Sequence, residues 1–176
     1  MRRVATVTDE EGYTISLTYD DFDRILRTTF PDGTFIENAY DRLSLISTTD
    51  RQNRTIAYEH NNLGQVIRAT DWLNRTMQYE WCRCGALRKL IDAKNQITQW
   101  KYDFQDRPVK KIYPDGSEEA WAYTSGVGRL ATTTARNGQQ TNYDYNLDDT
   151  LKSISYPLTA GIPETPGVSF TYDAEY

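Results

Sequence analysis

The stretch Tyr19–Ile25, with the sequence YDDFDRI, is the fullest copy of a phrase that recurs along the whole chain. It begins with an aromatic anchor and a turn-forming Asp, and it ends with an aliphatic residue. The anchor returns every 20 to 22 residues, and once more after a gap of 27. The anchors are Tyr19, Tyr40, His60, Trp81, Tyr102, Tyr123, Tyr145 and Tyr172. A period this regular indicates a repeat array, in which one structural unit is stacked many times.

A second turn lies between successive phrases. Its clearest copies give the predicted turn residues Asp32, Gly33, Asp115, Gly116, Asn137 and Gly138. Asp-Gly and Asn-Gly pairs supply the positive φ angles that tight hairpin turns need. The segments between turns place apolar residues largely on alternate positions and are rich in Thr and aromatics, as β-strands are. Each repeat is therefore predicted to be one β-hairpin.

The predicted fold class is all-β: an antiparallel meander of hairpins that forms one open, curved and twisted sheet. Residues two apart on a strand share a face, so Trp100 and Tyr102 present a pair of rings on one side. The return strands offer aliphatic residues between these rings, namely Ile25, Ile46, Val66, Leu87, Leu130 and Leu151. We expect a stripe of rings interleaved with aliphatics. Packing, rather than a ladder of rings that binds a ligand, is the preferred interpretation of the ring column.

Composition narrows the possible functions. Hydrophobic residues make up 38% of the chain, which fits a single sheet better than a thick two-layer core. The net charge is −5, with both signs interspersed and no basic stripe, which argues against nucleic acid as a partner. No apolar run has the length of a membrane helix. Residues 1–10 lack the apolar segment of a signal peptide.

The chain is predicted to be a single array over residues 1–176, with about eight units that start and end in the middle of a repeat. We therefore expect a segment of a longer array. Residues 157–167 interrupt the rhythm with a Pro/Gly-rich stretch that holds three of the six prolines. A solvated surface loop is the simpler interpretation. A contact site for another part of the parent protein is the alternative.

Three groups of residues are candidates for catalytic or metal-binding chemistry. His60 is the only histidine, and its place in the aromatic column indicates a packing role. Cys82 and Cys84 allow free thiols in a variant turn, a disulfide, or two metal thiolates. Free thiols are preferred, because a structural zinc site usually takes four ligands.

The acidic residues cluster in turns, where turn chemistry accounts for them. Calcium is the alternative, although the spaced oxygen ligands of a recognised loop are missing. These acidic residues are Asp20, Asp21, Asp23, Asp148 and Asp149. No catalytic, cofactor-binding or metal site is predicted, and the chain is not expected to be an enzyme.

The phrases resemble the YD repeat of the RHS family, whose pattern is Tyr-Asp, two residues, Gly-Arg-Leu and then a Pro-Asp-Gly-like turn. Tyr19–Arg24 and Tyr102–Arg107 come close to the first element, with Asp in place of Gly. Pro31–Gly33 and Pro114–Gly116 match the second. The resemblance runs from about residue 4 to 176. It departs from the pattern at His60, at Trp81 with Cys82, and at Tyr123, where Thr124 replaces Asp and one residue is inserted.

The resemblance implies a β-ribbon that spirals into a hollow shell, as in insecticidal toxin complexes, bacterial polymorphic toxins and animal teneurins. The expected function is a non-catalytic wall segment of a shell that encloses or presents an associated domain. The expected partners are neighbouring repeats, an enclosed effector, and a second copy through the open sheet edges. The parent protein is expected to be secreted or at the cell surface. The alternative is an adhesion module that recognises glycans or a protein through exposed aromatics.

Overall fold

The computed structural model describes residues 2–173, which form β-strands and turns without any helix. Sixteen strands lie in one antiparallel sheet, in the order of the sequence. The predicted all-β meander is confirmed. None of the described residues belongs to a helix long and apolar enough to cross a membrane. The strands are β1 (Thr6–Thr8), β2 (Thr14–Tyr19), β3 (Ile25–Thr29), β4 (Phe35–Asp41), β5 (Ser44–Thr49), β6 (Thr55–His60), β7 (Val66–Thr70), β8 (Thr76–Trp81), β9 (Leu87–Ile91), β10 (Ile97–Tyr102), β11 (Pro108–Ile112), β12 (Glu118–Tyr123), β13 (Leu130–Thr134), β14 (Gln140–Tyr145), β15 (Leu151–Ser155) and β16 (Val168–Ser169).

The chain divides into two compact units, Met1–Glu80 with Ile91–Asn95, and Trp81–Leu90 with Gln96–Tyr176. In the first unit, each strand from β1 to β8 pairs with the next. In the second unit, the strands from β10 to β16 pair in the same way. We call the turns that follow the anchors anchor-side turns, and the turns between hairpins return-side turns.

Most turns of both kinds share one geometry. After Tyr19, the Asp20 N–H donates to the carbonyl of Arg24 (3.0 Å), and the Asp23 N–H donates to the carbonyl of Asp20 (3.3 Å). The fourth residue of such a turn has a positive φ, which Gly, Asn and Asp tolerate best. It is Asp23, Gly33, Asn53, Gly64, Asn74, Gly85, Asn95, Asp106, Gly116, Gly138 or Asp149. The alternation of Gly, Asn and Asp at this position in the sequence follows from that backbone angle.

A β-bulge follows the anchor-side turns. Tyr19 lies opposite Ile25, whereas Thr18 lies opposite Arg27, so Leu26 is an extra residue on the return strand. The same irregularity occurs beside Tyr40, His60, Tyr102, Tyr123 and Tyr145. A bulge increases the local right-handed twist of a strand pair. Each of these hairpins therefore carries a twist-inducing element of its own.

The second repeat has a shorter anchor-side turn, and this shifts its aliphatic column by one position. Asp41 lies opposite Ser44, so only two residues form the turn. Leu45 then faces Tyr40, and Ile46 is the extra residue of the bulge, 39% exposed. The prediction that Ile46 fills the stripe of rings is wrong for this reason.

One face of the sheet is better shielded from solvent than the other, but neither face is sealed from solvent. Along β10, Trp100 and Tyr102 are half-buried, whereas Gln99 and Lys101 are exposed. No side chain of residues 2–173 is fully buried. The stability of the sheet therefore depends on half-buried rings and on contacts between neighbouring hairpins, and not on a closed core.

Candidate functional site

Aspartates at the start of the turns bind the turn backbone. One carboxylate oxygen of Asp103 accepts the N–H groups of Gln105 (2.9 Å) and Arg107 (3.0 Å). Asp20 accepts the equivalent N–H groups, two and four residues on, at 2.9 and 3.0 Å. Asp50 and Asp71 do the same in return-side turns. The Asp of the Tyr-Asp phrase thus stabilises the turn itself.

The other oxygen of the same carboxylate holds an arginine four residues later. Arg107 donates to Asp103 through Nε (2.8 Å) and Nη2 (2.7 Å). Arg24 and Asp20 form the same two-pronged pair at 2.7 and 2.6 Å. Partial desolvation on its own would raise the pKa of Asp103, but the hydrogen bonds from Arg107 and the turn N–H groups outweigh it, so the pKa is lowered.

Each of these arginines also reaches the next hairpin. The Arg24 guanidinium lies 4.0 Å from the ring centroid of Tyr40 and donates to the carbonyl of Arg42 at 2.7 Å. Arg107 lies 4.2 Å from the ring centroid of Tyr123 and donates to the carbonyl of Gly128 at 2.9 Å. A guanidinium suits this position because it can bind a carboxylate in its plane while its face stacks on a ring.

The anchor tyrosines bind backward to the preceding hairpin through their hydroxyl groups. Tyr102 donates to the carbonyl of Leu87 at 2.8 Å, and Tyr123 donates to the carbonyl of Pro108 at 2.9 Å. Tyr19, Tyr40 and Tyr172 make the equivalent bonds to Val4, Ile25 and Leu151. Pro108, Ile25 and Leu151 each begin a bulge, where the backbone ladder is locally disrupted. The tyrosine supplies a donor at that point.

The return-side turns carry a different link between neighbouring repeats. Arg136 lies 4.0 Å from the Tyr113 ring centroid, and it donates to the Ser117 hydroxyl (2.9 Å) and the Asp115 carboxylate (2.6 Å). In the first unit Arg51 makes the same three contacts. These are with Phe30 (4.1 Å), Thr34 (2.8 Å) and Asp32 (2.6 Å). We call the tyrosine bonds, the stacked arginines and these arginine clamps the repeat-to-repeat ties.

Two of the remaining anchors are not tyrosines. His60 lies at the end of β6 opposite Val66, half-buried, in an open groove that Leu43 and Leu63 also line. Trp81 ends β8. Neither side chain carries a hydroxyl group, so neither can form the bond that Tyr19, Tyr40, Tyr102, Tyr123 and Tyr172 make.

The turn after Trp81 contains a disulfide between Cys82 and Cys84. The prediction of free thiols is therefore wrong. The sequence did place both residues correctly in a variant turn, but it could not show that the two sulfur atoms face each other across it.

Four of the five predicted acidic residues form turn hydrogen bonds or ion pairs with arginines. Asp20 binds Arg24, and Asp23 forms an ion pair with Arg3. Asp148 accepts the N–H (3.1 Å) and hydroxyl (2.7 Å) of Thr150, and Asp149 pairs with Arg129. Among residues 2–173 no group of three or more His, Cys, Asp or Glu side chains could hold a metal ion.

The predicted turn residues lie where two hairpins meet. Asp32 and Asp115 accept the arginine clamps, and Gly33, Gly116 and Gly138 occupy the positive-φ position. Asn137 accepts the Gln139 N–H at 3.1 Å. Residues 157–167 lie between β15 and β16, and their contact with the array includes a hydrogen bond from Gln139 to the Pro157 carbonyl (3.3 Å).

Apolar side chains are exposed at the tips of anchor-side turns. Their fractional exposure ranges from 68% to 104%. They are Phe22, Leu43 and Leu63 in the first unit, and Phe104, Val127 and Leu147 in the second. Single exposed apolar residues are common on protein surfaces, but three at successive anchor-side turns within each unit form a row.

Sequence reasoning gave the arginines no function beyond their place in the repeat pattern. The signal was present, because Arg24 and Arg107 both stand five residues after an anchor and Arg129 stands six after. A column of arginines at this spacing indicates contacts between repeats once the anchor ring of the next repeat is known to lie beside each arginine.

Comparison with known proteins identifies the repeat. The sequence model of the RHS Repeat family matches residues 3–34. No curated protein matches the chain. The chain is similar in fold to the Photorhabdus luminescens Tc holotoxin pore with a TccC3 mutant, with a TM-score of 0.67, 17% identity and coverage of 89% of this chain. It is similar to the TcdB2-TccC3 crystal structure with a TM-score of 0.69, 18% identity and 90% coverage.

The predicted resemblance to RHS/YD repeats is confirmed by these matches. At such low identity the solved structures show the fold alone. The chain spans 9% of the length of each of these two structures.

Proposed function

We propose that this chain is a non-catalytic segment of the wall of an RHS-type β-shell, which encloses or presents an associated domain of the parent protein. The observation that carries the proposal is the set of repeat-to-repeat ties. A wall must keep neighbouring hairpins aligned without the help of a closed core. The hydroxyl of Tyr102 and the guanidinium of Arg107 supply such links on successive hairpins.

The use of the charged groups supports a structural function. The carboxylates of Asp20, Asp103 and Asp115 each bind an arginine and turn donors, so these groups stabilise the backbone of the turns. A hydrolase would instead need a carboxylate or nucleophile presented to a cleft. Secretion or surface display of the parent protein is part of the proposal, by likeness to the Tc toxin structures.

The exposed turn tips are suited to contact with other stretches of the same kind of array. Successive hairpins repeat about every 10 Å across a sheet, so Phe22, Leu43 and Leu63 present apolar side chains at roughly that interval. A second row of turns with the same period can therefore pack against these side chains along its whole length. We propose that neighbouring repeats of the parent protein pack against the exposed turn tips.

The proposal is tested on the complete parent protein by protease protection. Arg24→Gln with Arg107→Gln removes two ties without removing a strand. The variant is expected to expose the associated domain to protease at a temperature at which the unsubstituted protein still protects it. Lys101→Gln is the matched control, since it removes an exposed positive charge from the opposite face of β10. An associated domain that is digested equally in all three proteins would overturn the enclosing wall.

A binding module is the second candidate, and Trp72 is the observation that favours it. The indole is 45% exposed at a return-side turn, with Arg54 and Arg75 at 4.9 and 5.6 Å from the ring centroid. A ring of this kind can stack on a sugar or on a partner's side chain. Titration of neutral and acidic glycans against tryptophan fluorescence tests it, with Trp72→Phe as the variant. A saturable response that Trp72→Phe abolishes would favour binding, and no response favours the wall.

A further inference from the structure

The disulfide between Cys82 and Cys84 is not needed to close its turn. The Cys82 N–H donates to the Ala86 carbonyl at 2.9 Å, and the Gly85 N–H donates to the Cys82 carbonyl at 3.1 Å. These are the bonds that close the aspartate turns elsewhere in the chain. The bridge joins residues only two apart, so it removes little entropy from the unfolded chain. A purely stabilising role therefore gives a weak account of it.

The sulfur of Cys82 takes the place of a carboxylate. Its Sγ accepts the N–H groups of Cys84 at 3.1 Å and Ala86 at 3.3 Å. In the next anchor-side turn, Asp103 accepts the N–H groups two and four residues on in the same way. The turn therefore holds two donors aimed at an atom whose counterpart in the Asp20 and Asp103 turns is a carboxylate oxygen. A thiolate at Cys82 would be stabilised by the same donors.

The two sulfurs differ in accessibility. Cys84 is exposed at the tip of the turn beside the exposed Arg83, whereas Cys82 is half-buried. An incoming thiolate therefore reaches Cys84 more readily. The departing sulfur is then Cys82, which leaves as the stabilised thiolate, and a better leaving group makes exchange faster.

We propose that Cys82 and Cys84 form a thiol–disulfide exchange site, in which Cys84 reacts with external small thiols of the glutathione class and Cys82 is the internal leaving group. A thiolate attacks Cys84 Sγ, the bond between the two cysteines breaks, and its electron pair stays on Cys82. A second thiolate attacks the external sulfur of the mixed disulfide. The products are the oxidised small thiol and the reduced Cys82–Cys84 pair, so two electrons pass from the thiols to the protein.

Glutathione exchange on the 176-residue chain, quenched with acid and mapped by peptide mass spectrometry, tests the assignment. We expect the mixed disulfide of the unsubstituted chain on Cys84. With oxidised glutathione, Cys82→Ser is expected to form a lasting adduct at Cys84. Cys84→Ser is expected to form one at Cys82 about tenfold more slowly. Equal rates, or an adduct mainly on Cys82, would overturn the assignment, as would a bridge that does not exchange with glutathione.

A pair of stability variants tests the carboxylate-like role of Cys82 without relying on reactivity. Cys82→Asp supplies the acceptor found in the other turns, whereas Cys82→Ala removes it. Both abolish the bridge equally, so their difference reports only the acceptor. We expect Cys82→Asp to melt at a higher temperature than Cys82→Ala. Equal melting temperatures would show that the two N–H donors do not need an acceptor at this position. That result would overturn the proposal that these donors stabilise Cys82 as the leaving group.

Discussion

The hydroxyl of Tyr102 donates a hydrogen bond of 2.8 Å to the backbone carbonyl of Leu87, fifteen residues earlier in the preceding hairpin. Partial burial raises the pKa of the same hydroxyl, which keeps it a donor well beyond neutral pH. The bond joins the anchor side chain to the backbone of the neighbouring hairpin, and four other anchors make the same bond. It shows how a sheet without any fully buried side chain can still link one repeat to the next.

Removing that hydroxyl is expected to weaken the second unit. Tyr102→Phe leaves the Leu87 carbonyl without its tyrosine donor, at a cost of about 1–2 kcal/mol in the free energy of unfolding. Urea unfolding followed by tryptophan fluorescence measures it. Tyr143→Phe is the matched control, because Tyr143 lies two residues before an anchor and takes no part in the tyrosine bonds. Equal losses in the two variants would show that the Tyr102 bond has no special role.

Replacing a stacked arginine by lysine is expected to cost more than the loss of an ordinary surface charge. Arg107→Lys keeps the charge but loses the two-pronged bond to Asp103 and the planar stacking on Tyr123. The expected loss is about 1–2 kcal/mol in the free energy of unfolding. Lys101→Arg is the reciprocal control on the exposed face. If Arg107→Lys unfolds at the same urea concentration as the unsubstituted chain, the guanidinium geometry is irrelevant.

Stability is expected to fall at acid pH. The hydrogen bond from Arg75 is the main cause that lowers the pKa of Asp71 below its ordinary value of 3.8. Because the folded pKa is the lower one, the unfolded chain binds the proton first, and the stabilisation is complete above the ordinary value. It is lost as the pH falls through 3.8 towards the folded pKa. The pKa of Asp50 is lowered in the same way, mainly by the hydrogen bond from Arg54.

Urea unfolding at pH 5 and at pH 3 measures this dependence. Asp71→Asn with Asp50→Asn is expected to flatten the loss between the two pH values. Glu164→Gln, in the exposed loop between β15 and β16, is the control and is expected to leave the slope unchanged. If the double variant loses as much stability between pH 5 and pH 3 as the unsubstituted chain, groups other than Asp71 and Asp50 cause the pH dependence.

The variant fourth repeat offers a gain-of-stability test. Cys82→Asp with Ala86→Arg rebuilds the pair that Asp103 and Arg107 form, and it places a guanidinium where it can stack on the next anchor. We expect the free energy of unfolding to rise by about 1 kcal/mol relative to Cys82→Asp alone. Thermal unfolding of the two variants compares them directly. No gain would mean that the arginine column does not link repeats.

The sheet edges are expected to support self-association. β1 and β16 are short outermost strands, and Val7 and Val168 are 49% and 45% exposed. Val7→Lys with Val168→Lys should lower the apparent mass at high protein concentration, because charged edge strands resist pairing. Val127→Lys, at a turn tip, separates edge pairing from contact through the apolar row. Light scattering that shows a clean monomer for the unsubstituted chain at high concentration would contradict the expectation.

The sequence was sufficient for the fold because a period of about 21 residues leaves few alternatives to stacked hairpins. Tyr19 and Tyr102 each end a strand. The bulge could not be foreseen, since the extra residue at Leu26 has no distinctive composition. The two-residue turn at Arg42 and Leu43 displaced Ile46 for a similar reason, because a shorter turn shifts every later residue against a fixed column.

The ties were harder to predict than the strands. An Asp followed four residues later by Arg was visible at Asp20 and at Asp103, but the second contact of each arginine is with a ring sixteen residues further along the chain. The disulfide was missed because two cysteines in a turn are compatible with either redox state. In each of these cases the residue is visible in the sequence but its partner is not, because only the pairing of hairpins supplies the partner.

A double-mutant cycle between Arg107 and Tyr123 tests most directly whether neighbouring hairpins are held by side-chain ties. The single variants are Arg107→Gln and Tyr123→Leu, and Arg107→Gln with Tyr143→Leu gives the reference cycle. The account predicts a coupling free energy of about 0.5 kcal/mol or more for the first cycle and close to none for the second. A first cycle that is additive within error would contradict it.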